Sequence, residues 1–201
     1  MKNYNLFMSC IVLLGIKHCG KSTQGKILAK HFKCPFFDTD DEITFLTGKT
    51  AREIYVEQGK EAFLAVEKDI CKKLSEDSRL VQQSEKVTAV IATGGGVCNN
   101  SEALDYLHKI GLFVFLNADE KTAADRIVNE IKYDGVGMMK NLPAYIANKN
   151  PQNVMEVREI FHKYYEERRK IYAGLCDVEV KLEHSASKTE NMKNILSKLP
   201  F

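Results

Sequence analysis

Several features that would place the chain in a special class are absent from its 201 residues. No apolar run approaches the length of a membrane span, and the first five residues lead into an apolar segment without a cleavable signal pattern. Basic and acidic residues number 29 and 27, so the net charge of +2 gives no electrostatic footprint for nucleic acid or an anionic membrane. We therefore expect a cytoplasmic protein that binds neither, and we expect a monomer.

Paired cysteines are also lacking, because the six cysteines are scattered without a CxxC pattern. This spacing predicts neither a zinc site nor a disulfide framework, and we expect most of the thiols to be small buried apolar groups. There is no internal repeat or low-complexity tract. A chain of 201 residues with 44% hydrophobic content is long enough for one domain with a sizeable core.

The most informative stretch is a glycine-bounded loop that follows the apolar residues 11–14. Residues 15–22 fit the pattern GxxxxGK[ST], in which backbone N–H groups and the start of a helix surround the phosphates of a nucleotide. We expect Lys21 to reach the outer phosphates and the Ser22 hydroxyl to bind the accompanying magnesium ion. A chance match is the alternative, but the apolar strand before the loop and the amphipathic helix after it favour phosphate binding. The predicted ATP site also includes His18, Cys19, Gly20 and Thr23, with the side chains of His18 and Cys19 pointing outward.

Five apolar segments alternate with helical patterns along the chain. This alternation predicts a single α/β domain over residues 1–201, a three-layer α/β/α sandwich with a five-stranded parallel sheet. Helices within about residues 41–78, broken near Gly48 and Gly59, are expected to bind the substrate. Residues 132–152 have no clean periodicity at their start and suit a mobile lid, although an ordinary surface loop is the alternative. The predicted strands are residues 6–14, 34–37, 87–92, 112–116 and 178–182.

Candidate ligand groups follow two of the predicted strands. Asp38 and Asp40 come after the second strand, and Gly94, Gly95 and Gly96 come after the third. The carboxyl ends of parallel strands face the ligand crevice, so these groups are expected to meet there. Successive glycines favour a site where a ligand approaches the backbone closely, and the alternative is a tight turn.

Taken in order, these segments and Arg168-Arg169-Lys170-Ile171-Tyr172 resemble shikimate kinases over nearly the whole chain. The stretches from Phe37 to Gly48 and from Gly59 to Phe63 are each similar to a family segment at the expected distance. The resemblance implies a P-loop kinase fold with strand order 2-3-1-4-5. It also implies phosphoryl transfer from magnesium ATP to a hydroxyl group of shikimate.

Carried over by position, the resemblance implies a role for individual residues. Ser22 and Asp38 would hold magnesium, and Asp40 would bind the acceptor hydroxyl and act as its base. The Gly95 N–H, with Gly94 and Gly96 beside it, would fix the substrate. Arg168 would pair with the substrate carboxylate, and Arg126 would pack on the adenine.

The sequence departs from the family at two cationic positions. The family arginine that follows the Glu-Phe segment, a second partner of the substrate carboxylate, is replaced by Leu64. The lid arginine is also missing, and Lys140 is the candidate replacement as a phosphate contact. Two other functions therefore remain open: a kinase of the same fold acting on another small polyol or sugar acid such as gluconate, and a non-catalytic nucleotide-binding regulator.

Overall fold

The computed structural model describes residues 9–81 and 86–200, which are arranged around one parallel sheet. Five strands pair in the order β2-β3-β1-β4-β7, which confirms the predicted fold and strand order. A separate antiparallel ribbon is formed by β5 and β6. The strands are β1 (Cys10–Leu14), β2 (Phe36–Asp38), β3 (Ala89–Ala92), β4 (Gly111–Ala118), β5 (Lys132–Tyr133), β6 (Met139–Lys140) and β7 (Val178–Leu182).

Strand β1 occupies the centre of the sheet because every one of its side chains is apolar and buried. It pairs in parallel with β3 on one side and β4 on the other. The prediction began this strand at residue 6, and residues 6–8 lie outside the described residues. Since the carboxyl end of β1 runs directly into the glycine-bounded loop, that loop lies at the middle of the sheet's ligand-facing edge.

Helices cover both faces of the sheet, and their ends follow local capping signals. Thr50 and Glu53 form a capping box at the start of α3, and Asn153 caps α7 with its side chain. Gly59 has φ of 90° and kinks α3, which confirms the predicted break. The helices are α1 (Lys21–Phe32), α2 (Thr39–Thr47), α3 (Ala51–Glu76), α4 (Ser101–His108), α5 (Glu120–Asn129), α6 (Ala144–Ala147), α7 (Val154–Leu175) and α8 (Lys188–Lys198).

The segment expected to be an irregular lid contains regular structure. Lys132 pairs with Lys140 and Tyr133 pairs with Met139, so the ribbon of β5 and β6 projects between α5 and α6. Each strand has only two residues, which is too short for a periodic pattern to appear in the sequence.

The two edges of the sheet differ in construction. Strand β2 forms one edge with three residues, and β7 forms the other with alternating exposed and buried side chains, as predicted. Beyond β7, the Asn191 side chain of α8 accepts from the Glu183 N–H at 3.0 Å and donates to the Glu183 carbonyl at 3.1 Å. Asn194, one turn further on, donates to the Lys181 carbonyl at 2.8 Å.

Three of the six cysteines are buried, namely Cys10, Cys19 and Cys71. The expectation that most are buried is therefore met for half of them. Within residues 9–81 and 86–200, no helix combines the length and apolar character needed to cross a membrane.

Candidate functional site

The loop between β1 and α1 is held together by the side chain of Lys21. Its Nζ donates hydrogen bonds to the carbonyls of Gly15 and Ile16, both at 2.8 Å, and the side chain is buried. Gly20 precedes α1 with φ of 104°, a conformation that favours glycine. The ammonium group therefore lies inside the loop, where it offsets the negative ends of the carbonyl dipoles.

The prediction that the Cys19 side chain points outward is wrong. Cys19 is buried, with Sγ 3.7 Å from Lys21 Nζ, so the thiol packs inside the loop and fills space that would otherwise be empty. His18 is half-buried rather than directed into solvent, and its Nε2 lies 3.4 Å from Glu130 Oε2. Burial lowers the pKa of His18, and the adjacent Glu130 opposes that effect.

Ser22 and Asp38 are brought together, although 16 residues separate them in the chain. The Ser22 hydroxyl donates to Asp38 Oδ2 at 2.6 Å, and Asp38 Oδ1 accepts from the backbone N–H of Asp40 at 3.1 Å. Asp38 therefore ends β2 and also caps α2, which fixes the direction of its carboxylate. Asp40 lies in the first turn of α2.

Asp40 opens onto the ligand-facing side of the sheet and is exposed to solvent there. Desolvation by the surrounding protein raises the pKa of Asp40, the neighbouring Asp38 raises it further, and Lys21 and Lys17 oppose the rise. The carboxylate consequently holds a proton more readily than an isolated aspartate does.

A cavity of about 380 Å³ lies over the loop and contains most of the predicted ATP-binding residues. Arg126 of α5 borders it and donates to the His18 carbonyl at 2.5 Å. Arg126 also borders an adjoining cavity of about 140 Å³ that lies between the loop and the start of α8. The 380 Å³ cavity is lined by Lys17, His18, Gly20, Lys21, Ser22, Thr23, Asp38, Asp40, Thr93, Gly95 and Arg126.

A third cavity, of about 220 Å³, lies between the glycine segment, α3 and the chain that follows the ribbon. It shares Lys17, Asp40 and Gly95 with the 380 Å³ cavity, so the two spaces meet at these three residues. The remaining lining residues are Ala51, Arg52, Tyr55, Phe63, Gly94, Gly96, Leu142, Pro143, Ala144, Tyr145 and Tyr164. We call this space the acceptor cavity.

Two hydrogen bonds from side chains hold the backbone of the glycine segment, one at Gly94 and one at Gly95. The Gly94 N–H donates to Thr39 Oγ1 at 2.9 Å, and the Tyr172 hydroxyl donates to the Gly95 carbonyl at 3.0 Å. A Cβ atom on Gly95 would lie 2.7 Å from the backbone nitrogen of Lys17. Glycine is therefore required at position 95 because the segment packs directly against the phosphate-binding loop.

Two buried charges, Glu67 and Arg168, lie behind the acceptor cavity. Glu67 Oε2 accepts from Asn100 Nδ2 at 2.9 Å, while Oε1 has no hydrogen-bond partner among the described residues. Burial raises the pKa of Glu67 to about 7, an effect that the Asn100 hydrogen bond opposes and that Asp40 reinforces.

Arg168 lies on the buried stripe of α7 and not in the lining of the acceptor cavity. Its Nη1 donates to Cys98 Sγ, its guanidinium carbon lies 4.7 Å from the centre of the Tyr164 ring, and its Nε has no partner among the described residues. Tyr164 and the stacked ring of Tyr145 line the cavity in front of it. In this conformation the Tyr164 ring covers one face of the guanidinium.

Two predicted site residues lie away from these cavities. Leu64 is absent from their linings, and its carbonyl accepts from Asn100 Nδ2 at 2.9 Å, while the preceding Phe63 faces the acceptor cavity. Lys140 is likewise absent, and its Nζ lies 3.1 Å from Asp134 Oδ2 within the ribbon.

Residues of this region that were not identified from the sequence include Lys17, Thr39, Arg52 and Glu67. Glu67 carried a detectable signal, because it occupies the apolar stripe of α3 between Phe63 and Ile70, and a charged residue on such a stripe is unusual. Lys17 carried a signal as well, because it lies within the phosphate-binding pattern of residues 15–22, whereas Arg52 does not differ in the sequence from any other exposed cation.

Comparison with known proteins gives a consistent result. The family model described as shikimate kinase matches residues 17–200. The shikimate kinase of Aquifex aeolicus is 32% identical over 189 residues, which are 94% of this chain and 95% of that protein. The shikimate kinase of Rippkaea orientalis is 37% identical over 120 residues, so the match spans 60% of this chain and only 59% of that protein. A solved structure, shikimate kinase from Acinetobacter baumannii in complex with shikimate, has a TM-score of 0.71 at 21% identity and covers 94% of this chain and 92% of that one; it shows the shared fold.

Proposed function

The chain belongs to the shikimate kinase family, and from that premise we propose that it transfers the terminal phosphoryl group of ATP to a hydroxyl group of shikimate. The observation that carries the proposal is the junction of the two cavities at Lys17, Asp40 and Gly95. A nucleotide whose phosphates lie over the loop and an acceptor in the acceptor cavity would meet beside a carboxylate and a cation. That arrangement suits in-line phosphoryl transfer, which depends on positioning and on charge neutralisation.

The oxygen atoms of Ser22 and Asp38 fit a magnesium ion that travels with ATP. Magnesium is bound in such sites by one or two protein oxygens, phosphate oxygens and water, and here one hydroxyl and one carboxylate lie 2.6 Å apart beside the phosphate-binding loop. No cluster of three or more His, Cys, Asp or Glu residues that could hold a metal by itself is found in the described part of the chain. When bound, the ion would neutralise negative charge on the phosphates.

Asp40 is the proposed base. It lies where the cavities meet, so an acceptor hydroxyl there would be within reach of its carboxylate. The raised pKa favours proton acceptance from the hydroxyl as the new oxygen–phosphorus bond forms. Asp38 is already engaged by Ser22 and by the start of α2, which leaves Asp40 as the carboxylate free to face the acceptor.

Lys21 and Lys17 are the proposed cations at the transferring group. Lys21 would exchange its bonds to loop carbonyls for the outer phosphates, and Lys17 borders both cavities at the point where the phosphoryl group must cross. We further propose that residues 132–152 act as a lid and that Lys140 reaches ATP only when the ribbon moves toward the loop. Arg126, between the 380 Å³ and 140 Å³ cavities, is the proposed contact for adenine.

A kinase of the same fold acting on another small polyol or sugar acid, such as gluconate, is the second candidate, and the observation behind it is Leu64 at the position of a family arginine. The non-catalytic alternative is disfavoured because Lys21, Ser22, Asp38 and Asp40 surround one cavity. Cytoplasmic location fits either kinase.

Coupled ADP release against shikimate and gluconate tests the proposal, with Lys21→Met as the control for contaminating kinases. We expect magnesium-dependent ADP release with shikimate that is lost in Lys21→Met. Activity with gluconate alone would overturn the shikimate assignment, and activity with neither acceptor would overturn the kinase proposal for both.

A further inference from the structure

We propose that Arg52 binds the carboxylate of the acceptor and so replaces the cation that Leu64 lacks. The inference rests on the proposed function, and it names the residue that determines recognition of an acidic acceptor. Lys17 and Arg52 are the cationic side chains that line the acceptor cavity. Leu64 and Arg168, the two positions expected to hold the carboxylate, do not line it.

The cavity has two chemically different ends. Lys17 and Asp40 also line the 380 Å³ cavity, so they mark the end where the phosphoryl group arrives. Arg52 belongs to the acceptor cavity alone and reaches toward the chain after the ribbon, with Nη1 3.5 Å from Asn141 Oδ1. An acceptor whose hydroxyl lies at Asp40 can therefore direct a carboxylate to Arg52, because the two groups occupy different parts of the lining.

The guanidinium of Arg52 is available for a ligand. Its hydrogen bond to Asn141 is long and involves a neutral acceptor, and no carboxylate within residues 9–81 and 86–200 forms an ion pair with it. A guanidinium has five N–H donors in a planar fork that matches the two oxygens of a carboxylate. Arg52 could thus form two parallel hydrogen bonds to the acceptor without breaking an existing ion pair.

Arg168 is less accessible in the same structure. Its Nη1 is used by Cys98, and the Tyr164 ring covers its guanidinium. Its charge can still favour an anion in the cavity, but Arg168 does not line the cavity in this structure. Arg52, on the first turn of α3, already lines the cavity.

The test compares shikimate with its methyl ester, which keeps the hydroxyl groups and removes the negative charge. Dissociation constants are measured by calorimetry in the presence of magnesium and a non-hydrolysable ATP analogue, for the wild type, Arg52→Met and Arg52→Lys. Lys60→Met is the matched control, because Lys60 is an exposed cation of the same helix that lines none of the described cavities.

We expect Arg52→Met to weaken shikimate binding by about tenfold or more and to change ester binding by less than about twofold. The shikimate affinity of Arg52→Lys should lie between those of the wild type and Arg52→Met, because lysine keeps the charge but lacks the planar fork of N–H donors. Lys60→Met should match the wild type for both ligands.

Equal effects of Arg52→Met on shikimate and on its ester would overturn the proposal, because the lost contact would then not be with the carboxylate. Unchanged shikimate binding in Arg52→Met would also overturn it. Both results can be obtained only if the wild type binds and phosphorylates shikimate. If the proposed function itself fails, the wild type shows no shikimate-dependent ADP release, so the two failures are distinguishable.

Discussion

Replacing Glu67 with glutamine should change the pH dependence of stability by an amount that follows from the burial of this carboxylate. Glu67 is 0% exposed, and burial raises its pKa from 4.5 to about 7. Because each pKa unit corresponds to about 1.4 kcal/mol, this difference amounts to about 3 kcal/mol of unfolding free energy. The folded state binds the proton more tightly, so the contribution is fully present below pH 4.5 and is lost as the pH rises through about 7.

Glutamine at position 67 keeps an oxygen that can accept from Asn100 but cannot ionise. The wild type should therefore lose about 2.5 kcal/mol relative to Glu67→Gln between pH 5 and pH 8. Urea unfolding followed by circular dichroism at both pH values measures the difference, and titrating groups that do not interact with Glu67 cancel in the comparison. Glu61→Gln, an exposed position on the same helix, controls for the loss of one acidic residue.

A difference between wild type and Glu67→Gln that stays constant within about 0.5 kcal/mol from pH 5 to pH 8 would refute the reasoning. It would mean that the carboxylate stays ionised in the folded protein throughout this range. Arg168 would then have to stabilise the negative charge far more strongly than its placement indicates.

Three further predictions concern activity. Asp40→Asn should lower kcat by about 100-fold or more with little change in ATP affinity, whereas weakened magnesium ATP binding with unchanged acceptor affinity would show that the roles of Asp38 and Asp40 are reversed. Lys17→Met should lower kcat at least about tenfold with small changes in both Michaelis constants, and an unaltered kcat, equal to that of the exposed-lysine control Lys30→Met, would exclude Lys17 from phosphoryl transfer. Amide hydrogen exchange within residues 132–143 should slow when a non-hydrolysable ATP analogue and shikimate are added together, and unchanged exchange would contradict a lid.

The sequence was sufficient for the parts of the structure that depend on local pattern. The continuous apolar run in β1 predicted a central strand, and the glycine spacing predicted the loop that follows it. Gly59 predicted the kink in α3 because its φ of 90° is accessible to few other residues. Asp38 was placed correctly at the ligand-facing edge, although its second contact, as the cap of α2, was not foreseen.

Side-chain direction was predicted less well, because it depends on contacts between distant segments. Cys19 turns inward since the loop closes around Lys21, and Phe63 rather than Leu64 faces the acceptor cavity because the kink at Gly59 sets the rotation of the second half of α3. Arg52 lies beside the chain that follows the ribbon, 89 residues further on in the sequence. None of these side-chain contacts can be predicted from a short stretch of sequence, because each depends on residues that are distant in the chain or on the geometry of a whole helix.

The construction of the sheet's edges limits how copies of this chain could associate. An open strand edge is a template for backbone pairing with another chain, which leads to dimers or to aggregates. Here β2 offers only three residues, while β7 presents exposed Glu179 and Lys181. The Lys181 carbonyl within β7 is already bonded to Asn194, and Glu183 just after the strand is bonded to Asn191. Strand addition is thus disfavoured at both edges of the five-stranded sheet, so association of two copies through a continuous sheet is not favoured.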